Sequence, residues 1–368
     1  MGNCIGTPKQ PAETPTKTPT PSSSSVPAAS GAAAAATPPK PYSAQNASPA
    51  KVEAPAAAAQ TPPKKPTPTD EVQQVQQGQW ASEEEVETVD PLALEAGEQI
   101  GRGSSGRVLM ARSPLGKDIA LKVVPIALRS GFEEVVEELV ALYQSHHPHV
   151  AAFHGAAYNQ SEQCMVIAFE YLDRKSLRDV LKTASTIPES IMACASAQVL
   201  AGMIYLHRER RLIHRDIKPT NVLVNSKGRC KISDFGMSKE LSNTLSAGQT
   251  WVGTSSYMSP ERVGGQDYTF NADVWGLGIL VFECCTGKPP WEGAQTFELL
   301  DKIVDGDPPE LPKSFSPEAR DFVVKALEKD HERRAGSDGM ATHAWVSSSG
   351  TAANVRERRV AEWLEGVP

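Results

Sequence analysis

The sequence predicts an α+β domain beginning near Pro91, behind a long disordered tail. Three observations carry this: a sharp break in composition, short β-patterned segments crowded between residues 92 and 125, and a helical repeat directly after them. The 368 residues exceed twice the roughly 150 typical of one domain, yet they do not divide evenly. Of 29 prolines, 15 fall in residues 1–69, whereas all 6 tryptophans lie at Trp80 or beyond. Residues 1–69 carry six Lys, two Glu and no Arg or Asp, a net +4 that leaves −11 of the overall −7 to residues 70–368.

Residues 7–69 are built from Pro, Ala, Thr, Ser and Lys. Without Phe, Trp, Leu or Met they cannot bury enough apolar surface to offset chain entropy, so disorder with local polyproline character is expected. Ser or Thr precedes Pro eight times in this tract, a pattern that suits a proline-directed kinase. At the start of the chain, Met1-Gly2-Asn3-Cys4 offers Gly2 for myristoylation and Cys4 for palmitoylation, the two signals that stable anchoring needs. Gly6 stands where the myristoylation pattern prefers Ser or Thr. Residues 70–90, with Glu83, Glu84, Glu85 and Glu87, read as an acidic linker.

Several classes are excluded. No apolar run approaches the roughly 18 residues of a membrane-spanning helix; the longest candidate, residues 276–285, contains Glu283. The six cysteines form no CxxC pair, which argues against a zinc site and a secreted disulfide framework and for a reducing, cytoplasmic setting. An acidic domain does not suit nucleic acid, since neutralising phosphates needs clustered Lys and Arg.

Residues 92–100 read as the first strand. The GxGxxGxV turn that follows, Gly101-Arg102-Gly103-Ser104-Ser105-Gly106-Arg107-Val108, lets backbone approach phosphates without a Cβ in the way. A dinucleotide-binding fold would open a helix after the third glycine. Here residues 107–111 continue as strand, so the glycines sit in a hairpin over the ligand. The next strand, 118–125, places Lys122 among apolar residues. Phe132, Val135, Val136, Leu139 and Tyr143 then fall on one helical face, with Glu138 at its margin as partner for Lys122; Glu134 and Glu137 are alternatives.

Residues 213–225 read IHRDIKPTNVLVN, and Lys231-Ile232-Ser233-Asp234-Phe235-Gly236 follows, with Asp234 13 positions after Asn221. Phosphoryl transfer from Mg-ATP needs oxygen ligands for Mg2+, a carboxylate to orient a hydroxyl nucleophile, and cations against developing charge. Asp216, Lys218, Asn221 and Asp234 supply all of these.

With these motifs the chain resembles the eukaryotic protein kinase family over residues 92–345. The resemblance implies a bilobal fold, a small β-rich N-lobe and a larger helical C-lobe with ATP between them. It divides the chain into a tail (1–90), a kinase domain (91–347) and a C-terminal amphipathic helix or tail (348–368). It also implies that Lys122 contacts the ATP phosphates and is held by Glu138, that Asp216 is the catalytic base, that Lys218 steadies the γ-phosphate, and that Asn221 and Asp234 bind Mg2+. Ile100, Gly101, Gly103, Gly106, Val108 and Ala120 would line the nucleotide site, with Glu170 and Leu172 as the hinge and Phe169 as gatekeeper.

Residues 214–225 (HRDIKPTNVLVN), Trp251-Val252-Gly253-Thr254 and Tyr257-Met258-Ser259-Pro260-Glu261-Arg262 are similar to the corresponding segments of MAP kinase kinases. This implies a dual-specificity kinase that acts on Thr and Tyr of a MAP kinase activation loop and is itself switched on by a MAP kinase kinase kinase. Thr250 is then a regulatory phosphosite beside Arg215, with Ser246 or Thr244 as the second. Lys218 and Thr254 are Ser/Thr-kinase features, so a Ser/Thr kinase of a neighbouring tier is the alternative, and a membrane-tethered kinase-fold scaffold the third reading.

Glu261 is expected to pair with Arg334, Asp273 to tie down the catalytic loop, and His207, Trp275, Trp291 and Trp345 to be core. Asp173-Arg174-Lys175-Ser176 departs from the family's usual DGGS and is read as adding two cations to the cleft's lip. Val360, Trp363, Leu364 and Val367 repeat at i, i+3, i+4 and i+7, a helix expected to pack on the large lobe.

Overall fold

Period-two burial sorts the N-terminal sheet into two faces. In β3 (Asp118–Pro125) and β5 (Cys164–Glu170), Ile119, Leu121, Val123, Cys164, Val166 and Ala168 share one apolar cluster. Their alternates Val124, Met165, Ile167 and Phe169 join the core of the larger lobe. A strand buried on both faces belongs in the middle of a sheet. The order is β1-β2-β3-β5-β4, antiparallel throughout, with β1 at Ala96–Gly103, β2 at Gly106–Arg112 and β4 at Phe153–Asn159. This computed structural model describes residues 87–103, 106–125, 146–234, 255–350 and 352–367. Gly2, Cys4, Glu138, Thr244, Ser246 and Thr250 lie outside the described residues.

The first strand starts later than residues 92–100 suggested. Asp90 closes a turn, with its Oδ1 accepting from Leu92 N at 3.0 Å and its carbonyl from Ala93 N at 3.1 Å, so pairing begins only at Ala96. The β1–β2 hairpin is where the glycine pattern placed it. Gly106 adopts φ +147°, and a Cβ there would overlap the Val123 carbonyl oxygen, so only glycine fits.

The larger lobe is helical: α1 (Leu177–Ala184), α2 (Glu189–Arg208), α3 (Pro260–Val263), α4 (Asn271–Thr286), α5 (Thr296–Val304), α6 (Pro317–Ala326), α7 (Ser337–Ala341), α8 (Ala344–Ser347) and α9 (Ala353–Glu365). A short hairpin, β6 (Val222–Val224) and β7 (Cys230–Ile232), lies against α2. Among the described residues α2 is long and apolar enough to cross a membrane, a candidate the sequence reading passed over, but 72% of that stretch is buried inside the lobe. Residues 276–285, the expected longest run, lie in α4, where the buried Glu283 accepts from Tyr257 Oη and faces Arg178 Nη1 at 2.5 Å.

His207, Trp275 and Trp345 are buried, and Trp291 packs against the same core. Helix α9 packs on α2 through buried Val360 and Leu364, with Trp363 partly buried beside them and Val367 buried just beyond its end. Gly228, at φ +75°, sits under α9 where a Cβ would meet the Glu357 carbonyl, and its neighbour Arg229 pairs with Glu357 at 3.0 Å. The last turn of any helix leaves carbonyls without partners. Arg174 fills that need, donating to Leu364 O and, at 2.9 Å, to Val367 O. Of the two cations expected at the cleft's lip, Arg174 is therefore engaged with the C-terminal segment and only Lys175 is exposed.

Two buried histidines lie against α2 and β7. His147 Nδ1 accepts from His149 N at 3.1 Å and its ring stacks on Tyr205, while His149 Nδ1 donates to Cys230 O at 3.0 Å. Burial, aided by nearby Lys231, holds both neutral, lowering His147 to about 3 and His149 to about 4. Below pH 6.5 the unfolded chain takes up protons that the native state refuses, so stability falls with pH. At pH 5 the loss is about 2 kcal/mol per histidine. Urea midpoints at pH 7 and 5 should show this fall, and His147→Asn, which keeps an acceptor but cannot be protonated, should reduce it. An equal fall in the variant would refute the assignment.

Candidate active site

Phosphate-handling residues converge because β3, the catalytic loop and the end of β7 meet at the junction of the lobes. Register places Val108 opposite Lys122, and Lys122 opposite Ile167. Lys122 is mostly buried, and its Nζ lies 2.7 Å from Asp234 Oδ1. Glu138, the expected partner, lies outside the described residues. Pairing with Asp234 satisfies the buried ammonium and sets a cation beside a candidate metal ligand.

Residues 214–221 are held from below by Asp273 in the first turn of α4. Its buried carboxylate accepts from His214 N at 2.8 Å, Arg215 N at 2.7 Å and His207 Nε2 at 2.8 Å. Burial alone would raise the Asp273 pKa; hydrogen bonds and charge from His207 and His214 reverse this and hold it low. His214 Nδ1 accepts from Asp216 N at 3.2 Å, so its Nε2 donates to Ser233 O at 2.9 Å, tying the catalytic loop to the residue before Asp234. Arg215 and Asp234 adopt φ +72° and +63°. Left-handed backbone in non-glycine residues marks strain that the surrounding bonds must sustain.

The carboxylate of Asp216 is oriented from two sides. Asn221 Nδ2 donates to Asp216 O and Oδ2, both at 2.8 Å, and Lys218 Nζ lies 2.7 Å from Oδ2. Asn221 Oδ1 accepts from Thr220 Oγ1 at 3.3 Å and keeps a second lone pair as a hard ligand. Ser233 N donates to Asn221 O at 2.9 Å, suspending Asp234 from the Asn221 segment. Among the described residues no group of three His, Cys, Asp or Glu is arranged to hold a metal ion. One amide and one carboxylate oxygen fit Mg2+, which takes one or two protein ligands plus nucleotide phosphates. The structure thus links Lys122, Asp234, Asn221, Asp216 and Lys218, with Gly101, Gly103, Gly106 and Val108 in the hairpin beside β3.

At the hinge, Ala120 lies opposite Phe169, which is buried edge-to-face against Phe153, and Leu172 is buried. Glu170 has a role the sequence did not suggest. Its Oε1 accepts from Ala152 N at 2.6 Å and faces Lys231 Nζ at 2.5 Å, bracing the hinge against β7. A lysine in the otherwise apolar Cys230-Lys231-Ile232 strand was the available signal. Glu261 and Arg334 pair as expected, at 2.8 and 3.0 Å.

The protein kinase domain family matches residues 94–346. Among curated relatives, Mitogen-activated protein kinase kinase 2 of Arabidopsis thaliana is 38% identical over 258 residues, 67% of this chain and 70% of the relative. Dual specificity mitogen-activated protein kinase kinase dSOR1 of Drosophila melanogaster is 35% identical over 295 residues, 72% of each chain. Dual specificity mitogen-activated protein kinase kinase 1 of Dictyostelium discoideum is 44% identical over 194 residues, 52% of this chain but 29% of that longer protein. The linked lysines, carboxylates and asparagine between the two lobes, together with these matches, show that the chain belongs to the protein kinase family, in its mitogen-activated protein kinase kinase group.

Proposed function

We propose that this kinase phosphorylates Thr and Tyr in the activation loop of a MAP kinase and is activated by an upstream MAP kinase kinase kinase. The observation that carries the catalytic part is the Asp216 carboxylate, fixed by Asn221 and Lys218 one residue from the Asp273-anchored Arg215. Bound Mg-ATP supplies the phosphoryl group. Asp216 orients the substrate hydroxyl and accepts its proton, Lys218 sets positive charge beside the site of transfer, and Lys122 positions the phosphates. Asn221 and Asp234 hold Mg2+. The names of the relatives support the choice of substrate.

Thr250, with Ser246 or Thr244, is the proposed phosphoregulatory pair. Arg215 supports this: its buried Nε has no hydrogen-bond partner among the described residues, which suits a guanidinium reserved for phosphate. The native chain, Asp216→Asn and Ser246→Asp/Thr250→Glu are to be incubated with Mg-ATP and catalytically dead MAP kinases and phosphosites mapped. Both Thr and Tyr of a TxY loop should be modified, more by the acidic variant and not by Asp216→Asn. Phosphate on generic Ser or Thr alone would place the protein in a neighbouring tier.

The proposal extends to location: a cytoplasmic enzyme held at membranes by acylation of Gly2 and Cys4, supported by the MGNC sequence. Gly2→Ala should move the protein to the soluble fraction; unchanged fractionation would remove the anchor.

A further inference from the structure

Arg262 follows Glu261 in the short helix α3, yet the two side chains do different work. Glu261 turns into the core and is locked by Arg334. Arg262 is half-buried and turns the other way, where its Nη1 donates to the carbonyl of Arg215 at 2.6 Å. That carbonyl belongs to the peptide immediately before Asp216. Residue Arg215 is thus held at its N–H by Asp273, 2.7 Å from Arg215 N, and at its C=O by Arg262. The residue so gripped has φ +72°, a conformation that relaxes unless both ends are held.

Two guanidinium groups near one another repel, and the structure supplies a counterweight. Tyr268 presents its ring to both, with Arg215 Cζ 5.7 Å and Arg262 Cζ 5.6 Å from the centroid. The negative face of the ring attracts both cations and keeps Arg262 aimed at the carbonyl.

We infer that Arg262, oriented by Tyr268, is a positioning residue for phosphoryl transfer: it clamps the Arg215 peptide and so aims Asp216. The clamp ties α3 to the catalytic loop. The inference rests on Asp216 being the catalytic base. Geometry of the base matters in the transition state more than in nucleotide binding, so the effect should appear in kcat.

The test compares the full chain with Arg262→Met, which keeps the stem without a donor, Arg262→Lys, which restores one, and Tyr268→Leu. Readouts are kcat on a protein substrate, KM for ATP and thermal midpoint. Arg262→Met should lose about 10- to 100-fold in kcat, the worth of one charged hydrogen bond expressed in the transition state, with KM for ATP and midpoint nearly unchanged. Arg262→Lys should regain most of the loss, and Tyr268→Leu should lose less than Arg262→Met. If Arg262→Met does not fold, Tyr268→Leu decides, because the clamp requires its kcat to fall at constant midpoint. A kcat within twofold of native in the folded variants, or loss without rescue by lysine, would overturn the inference. An inactive native chain, or an Asp216→Asn variant as active as native, would instead defeat the kinase reading beneath it.

Discussion

Asp216→Asn is expected to lower phosphoryl transfer by about a thousandfold, within the range of a lost general base, while leaving KM for ATP nearly unchanged. The amide has the carboxylate's shape, so packing is preserved. It cannot accept a proton from the substrate hydroxyl, and it keeps both neighbours only with its oxygen in the place of Oδ2. Oδ2 of Asp216 receives Asn221 Nδ2 and faces Lys218 Nζ, two donors that a single amide oxygen must share. Turning the amide NH2 toward either would set donor against donor. Nucleotide affinity should survive because Lys122 and Asp234 pair with one another and not with Asp216. Steady-state kinetics with varied ATP checks this, and a loss below tenfold would assign the proton to another group.

Arg334→Met should cost about 3–5 kcal/mol of stability, the range measured when one partner of a buried ion pair is removed. For a domain of this size that lowers the thermal midpoint by about 10 °C. Both side chains are almost wholly buried, at 0% and 1% exposure. Arg334 also donates to the carbonyls of Glu328 at 2.7 Å and Asn271 at 3.1 Å, and its guanidinium lies over Trp275. Burial alone would raise the Glu261 pKa, and the Arg334 guanidinium overrides it to hold the carboxyl low. In the variant only weaker hydrogen bonds, from backbone and Ser259, oppose burial, and the folded-state pKa rises above the unfolded value. The deficit should therefore be greatest at neutral pH and shrink as pH falls toward that unfolded value. Urea unfolding at pH 7 and 5 tests the sign, and Glu261→Gln added to Arg334→Met should recover part of the loss. Equal midpoints for native and Arg334→Met at pH 7 would show the pair to be dispensable.

Much of the site was legible because its motifs are local. Asp216, Lys218 and Asn221 lie within six residues, and a short β6–β7 hairpin returns the chain to Asp234, so spacing alone carries their convergence. Lys122 stood out as a cation in an apolar strand and Gly106 as part of a phosphate-type glycine turn, whereas the Val123 carbonyl that excludes a side chain there belongs to the fold. The family resemblance reached further, anticipating Asp273 under the catalytic loop and Arg334 on Glu261. Arg174 was misjudged, since a cation between two elements reads as surface until its acceptors, 190 and 193 residues away, are known.

By itself the sequence determined which chemistry the chain carries, because catalytic groups must stand at close spacing on short connected segments. It also determined the first three strands of the small lobe, apart from the start of β1, because their alternation is a property of neighbouring residues. Only the tertiary structure decided which buried polar groups meet: Lys231 with Glu170, Arg174 with the end of α9, and Arg262 with the Arg215 carbonyl. A buried charge or strained peptide must find its partner within the packed interior, wherever the chain delivers one. That choice follows from the packing of distant segments, which no local pattern encodes.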